Sequence, residues 1–487
     1  NLKNGNYCPN MSVSNINELI TIPAHEQANL VARKEVSPVE LCEAVIERIE
    51  KLDHRVGAFI TVASEQALAA ARNAEIRAMS NNLLGPLDGV PIGIKDIEAT
   101  DGIRTTLGSR VFEDNVPDFD SIVVERVRAA GMVIIGKTNT PEIAIHMGTL
   151  TDNDVRGPCR NPWDLNRTTS GSSGGSAAAI AAGMSQIAIG SDGGGSIRIP
   201  ASFCGVFGLK PSNGRVPRAY GLGRSDPNQF SQSGPMTNDV RDAALLLQAI
   251  SGPHPADPQQ LLRSKPPDFT VNIPETLKGL RVGFSSDLGY GAVDPQVLDQ
   301  IMSGVLTFEK LGADVEESEI LLGIDLADNF WKIFGTNAYV QYGHLLAKGT
   351  GLLTEGVQEV LKRGREITGQ EYATSLRAVA DLRMKIDALF ERFDILITPT
   401  TSITAFEPGN RPSEVAGMMV DSPYGIFPFT YIFNMTGHPA ASVPCGFVDG
   451  LPVGMQIVGR SGDERAVLRA SAAFEEARPW RNVRPPL

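Results

Sequence analysis

Leu41, Val45, Ile49 and Leu52 recur every three or four residues with charged residues between them, the spacing of one apolar helix face. Just ahead, Ser37-Pro38-Val39-Glu40 has the form of a capping box with proline at the first helical position. A second, alanine-rich helix is predicted over residues 64–79, ended by Ser80-Asn81-Asn82 and Gly85-Pro86. From Val90 the period changes. Short apolar runs at 90–95, 132–135 and 186–189 read as strands, and they alternate with helical stretches at 121–130 and 176–182. Residues 257–274 are polar and proline-rich, a surface connection. Strands follow at 280–284, 395–399, 441–444 and 454–458, with helices at 294–311 and 466–477 and a mostly helical stretch over 325–393. This alternation predicts an α/β layered fold with a buried sheet.

The 487 residues suffice for a large core, and 42% apolar with 21% charged residues is ordinary for a globular enzyme. The formal charge of −12, without a dense Lys/Arg block, argues against nucleic acid as a ligand. No apolar run is long enough to span a bilayer and no signal-peptide core stands at the start. Cys8, Cys42, Cys159, Cys204 and Cys445 are too scattered for a disulfide framework or a metal-ligand spacing, so a reducing cytoplasm is the expected compartment. Residues 1–10 look unlike the rest and are expected to be a leader or tail ahead of a start at Met11.

Chemistry concentrates in two glycine–serine clusters and one lysine. The first cluster is Gly171-Ser172-Ser173-Gly174-Gly175-Ser176. The second is Gly190-Ser191-Asp192-Gly193-Gly194-Gly195-Ser196-Ile197-Arg198. Consecutive glycines before Ser196 let backbone N–H groups converge beside a hydroxyl, as an oxyanion requires. Lys95 ends the apolar run Gly89-Val90-Pro91-Ile92-Gly93-Ile94-Lys95-Asp96. Burial there would move its pKa toward the neutral, proton-accepting form; bringing it near 7 takes roughly 4–5 kcal/mol. Strand alternation sends Asp96 to the other face, away from that amine.

Together these motifs resemble the amidase signature family, from about residue 84 to 216 and again near the C-terminus. The resemblance implies a Ser–cis-Ser–Lys triad: Ser196 as nucleophile, Ser172 as proton relay after a cis Gly171–Ser172 peptide, and Lys95 as base. It implies oxyanion donors at Gly193, Gly194, Gly195 and Ser196, with Ser173, Asp192 and Arg198 in support. For the last three, catalytic and structural support weigh evenly. By register from Gly136-Lys137-Thr138-Asn139, the acyl pocket would begin at Ala144, Ile145 and Met147. Residues 330–342 and 424–433 would add apolar and aromatic walls, although core packing is an equal reading for any one of these side chains. The family commonly has Pro-Gly where Thr169-Ser170 stand here.

Three other patterns compete. Gly131-Met132-Val133-Ile134-Ile135-Gly136-Lys137-Thr138 spells a phosphate loop. Its four middle residues read as a strand, and no helix directly follows, which argues against ATP. Gly171-Ser172-Ser173-Gly174-Gly175 spells a nucleophile elbow, but its histidine partners (His254, His344, His438) lack a telling context, and it leaves the second cluster unexplained. His146 could line a pocket, although a structural role is the simpler reading. Asn161-Pro162-Trp163-Asp164 also occurs in tRNA-dependent amidotransferases, in the chain that releases ammonia, whereas residues 360–372 look more like stand-alone amidases.

The expectation is therefore an α/β amidase-signature fold, a mixed twisted sheet with helices on both faces. A helical segment at 11–82 would precede a catalytic domain at 83–487. The expected reaction is amide hydrolysis through a serine acyl-enzyme, without metal or cofactor, on a small-molecule amide with a hydrophobic or aryl acyl group. The alternatives are the A subunit of a glutamine-dependent tRNA amidotransferase and an esterase or aryl acylamidase using the same triad, and a homodimer is left open.

Overall fold

The computed structural model describes residues 19–487 except 146–149, 219–229, 258–265, 271–275, 321, 323–325, 349–350 and 421–423. Its strands, in chain order, begin with β1 (Phe59–Val62), β2 (Pro91–Lys95), β3 (Val133–Thr138), β4 (Arg160–Asn161) and β5 (Asp164–Thr168). They continue with β6 (Ile187–Asp192), β7 (Phe207–Lys210), β8 (Gln232–Thr237), β9 (Arg281–Phe284) and β10 (Asp314–Glu317). The last are β11 (Ile395–Pro399), β12 (Glu414–Val415), β13 (Met418–Met419), β14 (Ala440–Val448) and β15 (Leu451–Gly459). Eleven of them form one sheet in the order β1-β3-β2-β6-β8-β7-β14-β15-β11-β9-β10, while β4–β5 and β12–β13 are small ribbons. The sheet is mixed. β3, β2 and β6 run parallel, as do β11, β9 and β10, and the pairings between these groups are antiparallel.

Alternation along the strands explains the layers. In β3, Ile134 enters one apolar core while Val133 and Ile135 enter another. β11 divides the same way, with Ile395 and Ile397 on one side and Leu396 on the other. The first face is covered by the helices Ile122–Ala129, Val240–Ile250, Pro295–Lys310 and Glu464–Ala477. The opposite face is covered by Pro38–Val56, Ser64–Met79 and Gly174–Ala181 at one end and by Leu326–Tyr342 and Gly369–Arg392 at the other. Both faces must be buried for parallel strands rich in Ile and Val to be stable.

The first helices form as the pattern predicts. Ser37 and Glu40 make a reciprocal capping box at Pro38–Val56, and Leu41, Val45, Ile49 and Leu52 lie on its buried face. The N-terminal segment is not wholly helical, however. β1 sits between its two main helices and pairs antiparallel with β3 at the sheet edge. Of the expected surface connection, residues 258–265 and 271–274 lie outside the described residues, as do residues 1–18. No helix of the described residues is long and apolar enough to cross a membrane.

Candidate active site

Lys95 is the last residue of β2, and Ser191 and Asp192 are the last of the adjacent, parallel β6. The carboxyl ends of neighbouring parallel strands open a crevice that suits a ligand. The two glycine–serine clusters converge there. Ser172 and Ser173 precede the helix Gly174–Ala181, while the loop from Gly193 leads into the helix Arg198–Cys204.

The Lys95 side chain is fully buried. Its Nζ donates to Ser172 Oγ at 2.6 Å, to Ser191 Oγ at 2.9 Å and to the Ser191 carbonyl at 3.4 Å. Burial lowers its pKa from 10.5 to about 7; Asp192 and Glu98 pull it upward, and the charge of Arg218 pushes it down. Asp96 takes hydrogen bonds elsewhere, from Thr106 Oγ1 at 2.5 Å and from the Gly108 N–H. Burial raises its own pKa to about 6 against the pull of Lys137.

Ser173 stitches the clusters together. Its Oγ donates to the Ser191 carbonyl and accepts the Ser191 N–H, both at 3.1 Å, and its N–H donates to the Ser196 carbonyl at 3.1 Å. The Gly171–Ser172 peptide is cis. Ser172, Ser196, Gly193 and Gly194 line one cavity of about 130 Å³. The Gly195 N–H points elsewhere: it donates to Asp192 Oδ1 at 2.7 Å. Gly195 itself has φ +128°, and a Cβ there would meet Thr430 Oγ1 at 2.4 Å, so only glycine fits.

Asp192 and Arg198 pair through two hydrogen bonds of 2.9 Å, both side chains fully buried. Burial alone would raise the Asp192 carboxyl; the Arg198 charge and hydrogen bonds, with Asn434, outweigh it and hold the group well below the usual carboxylate range. Arg198 also donates to the Thr430 carbonyl, Gln456 Oε1 and Asn434 Oδ1. The loop that carries Ser196 therefore rests on residues far along the chain.

The cavity walls are mostly apolar. Ala144 and Ile145 line it, together with Ile143 and Leu150; Met147 and His146 lie outside the described residues. Phe330, Trp331 and Phe334 from Leu326–Tyr342, with Tyr424, form an aromatic wall with ring centroids 5.1–5.8 Å apart. Arg218 is the cation among the described lining residues, and no carboxylate is among them.

Sequence reasoning missed Ser191, Thr430, Asn434 and Gln456. A polar residue inside an otherwise apolar strand, as Gln456 is in β15, was the available signal. The rejected motifs have other duties. Lys137 lies within β3 and donates to the Glu98 carbonyl, Thr100 Oγ1 and Thr105 Oγ1 rather than to any phosphate loop. His438 bonds Thr436 and Asp387 and stacks on Phe390, and burial lowers its pKa. His25, Asp239 and Asp242 lie close enough to hold a cation, but Asp242 already accepts the Ala24 and His25 N–H groups and the His25 ring.

A doubly covered mixed sheet with a buried lysine and paired serine loops at an apolar cavity is the architecture of an α/β protein with a ligand site at its strand ends. The sequence profile of the amidase family matches residues 40–468, and the chain belongs to that family as an enzyme that hydrolyses amide C–N bonds. It is 38% identical to one component, the A chain, of the glutamyl-tRNA(Gln) amidotransferase of Moorella thermoacetica, over 96% of this chain and 99% of the relative. It is 36% identical to an acylamidase of Rhodococcus erythropolis, over 95% and 97%. Among solved structures, a bacterial aryl acylamidase of the amidase signature enzymes superposes with a TM-score of 0.87 at 33% identity, covering 94% of this chain and 96% of that one.

Proposed function

We propose that the protein is a stand-alone amidase that cleaves amides of hydrophobic or aryl acids through a Lys95–Ser172–Ser196 triad. The observation that carries this is the 2.6 Å contact of a fully buried Lys95 amine with Ser172 Oγ, at a pKa of about 7. A neutral amine accepts the Ser172 proton while Ser172 accepts that of Ser196, and Ser196 Oγ forms its bond to the carbonyl carbon. The proton returns through Ser172 to the nitrogen as the C–N bond breaks; water then attacks the ester. With the Gly195 amide held by Asp192, the N–H groups of Gly193, Gly194 and Ser196 are the proposed oxyanion donors.

The identity to an amidotransferase component supports a second reading, glutamine hydrolysis within a larger assembly. A glutamine α-ammonium needs a nearby anion when desolvated, and the described lining offers none. Apolar and aromatic walls favour an aryl or alkyl acid instead. The test is labelling with a fluorophosphonate and hydrolysis of aryl amides beside glutamine. Ser196→Ala and Lys95→Ala should each lose labelling and about 10⁴-fold or more in kcat. A labelled, active Ser196→Ala would remove the nucleophile assignment, and glutamine as the preferred substrate would remove the stand-alone reading.

A further inference from the structure

A second cavity, about 320 Å³, adjoins the first: Ile97 and Gln341 line both. Its other walls come largely from residues 99–119, just past the strand end that carries Lys95. Leu107, Phe112 and Phe119 make it apolar, and Asn115 and Asp118 bring polar groups to it. Its framework is bonded in place. Thr105 N–H donates to the Asn115 carbonyl at 2.9 Å, Asn115 Nδ2 returns a bond to the Thr105 carbonyl at 2.8 Å, and Gly102 N–H reaches the Pro117 carbonyl at 3.0 Å. A preformed apolar wall binds without an ordering cost.

We infer that this second chamber receives the amine half of the substrate, so that the enzyme accepts amides of bulky, apolar amines such as arylamines. This rests on the proposed triad. The shared wall at Ile97 stands two residues from Lys95, whose amine contacts Ser172, the residue proposed to hand its proton to the departing nitrogen. The aromatic wall, by contrast, presses on the oxyanion loop, where a Cβ at Gly194 would meet the Phe330 ring at 3.0 Å. The first cavity, at about 130 Å³, has room for about one ring, since an engineered apolar void of about 150 Å³ accepts benzene. A substrate with two bulky halves needs both chambers. When the C–N bond breaks, the nitrogen takes the Ser172 proton and the amine leaves through the second chamber toward Asp118, which is exposed and suits an ammonium product.

The measurement is the ratio of kcat/KM for benzanilide over benzamide, which share an acyl group and differ only in the amine. Val116 lines the second chamber and is 56% exposed, so tryptophan there narrows the space without burdening the core. Val116→Trp should lower the ratio about fivefold or more, and Phe112→Ala should raise the corresponding ratio for the bulkier 1-naphthylamide. Fluorophosphonate labelling of each variant reports whether Ser196 is intact. Ratios within about twofold of the parent in both variants overturn the chamber assignment while leaving the hydrolase reading in place. A parent that cleaves neither amide and resists labelling overturns the hydrolase reading and the chamber together.

Discussion

An amine held away from water binds its proton weakly, and in the proposed triad that simple fact at Lys95 would set the working pH. Its pKa of about 7 puts the neutral base above that pH and the ammonium below it. The limb of kcat/KM should therefore rise with pH up to about 7 and level off above it. Ser191 Oγ, 2.9 Å from Nζ, accepts a hydrogen bond that the ammonium makes more strongly than the neutral amine does. Ser191→Ala should shift the limb to lower pH and reduce kcat about tenfold, the worth of roughly 1–1.5 kcal/mol, with Ser191→Thr restoring both. A pH profile that does not move would assign Ser191 to packing alone. Lys95 was legible from sequence because a lone cation ended an apolar run. Ser191 was not, because in a Gly-Ser-Asp-Gly string no spacing tells an amine's partner from a turn residue.

Turns and strands differ in how much of themselves they write into the chain. At Thr169-Ser170, where the family resemblance leads one to expect Pro-Gly, Ser170 adopts φ +56°, the left-handed region that favours glycine. Its carbonyl accepts the Thr151 and Thr169 hydroxyls, but its own hydroxyl is buried with no hydrogen-bond partner among the described residues. Ser170→Gly should therefore stabilise the protein by about 1 kcal/mol: relief of about 1–2 kcal/mol of backbone strain and of the stranded hydroxyl exceeds the about 0.5–1 kcal/mol of added chain entropy. Urea denaturation measures this, and a destabilised variant would mean the serine is needed where it stands. The substitution was visible in the sequence; its conformation was not. Among strands, β2, β3 and β6 were readable from runs of Ile and Val. β8 was not, because Gln232-Ser233-Gly234-Pro235-Met236-Thr237 shows no apolar alternation and contains a proline. Its ladder to β7 involves only Met236 and Thr237, so Pro235 falls outside that pairing. β1 was missed because four residues between two strong helices carry too little periodicity to register.

Across the whole molecule, one arginine joins segments that are more than two hundred residues apart. Arg198 binds Asp192 at the end of β6, the Thr430 carbonyl and Asn434 around the helix Tyr431–Met435, and Gln456 in the middle of β15. Asn434 Nδ2 closes the circuit onto Asp192. The sequence made the Asp192–Arg198 pair legible because the residues are neighbours. Its C-terminal partners became visible only when the sheet brought β14 beside β7 and β15 beside β14. Removing Arg198 would leave Asp192 buried without its counter-charge, and Arg198→Met should cost about 3–5 kcal/mol. Asp192→Asn in the same chain should recover part of that loss, because a neutral amide tolerates burial better than an unpaired carboxylate. The pH dependence carries the same signature. The Asp192 pKa is depressed in the folded protein, so its contribution is present above the unfolded value of about 3.9 and is lost as pH falls from there toward the folded pKa. Acid denaturation of the parent should show that loss, and the double variant should not. Activity should fall with stability in Arg198→Met, since Asp192 also anchors the Gly195 and Ile197 N–H groups on either side of Ser196. An Arg198→Met enzyme with parental stability and turnover would mean that the two ends of the sheet hold the loop without this pair.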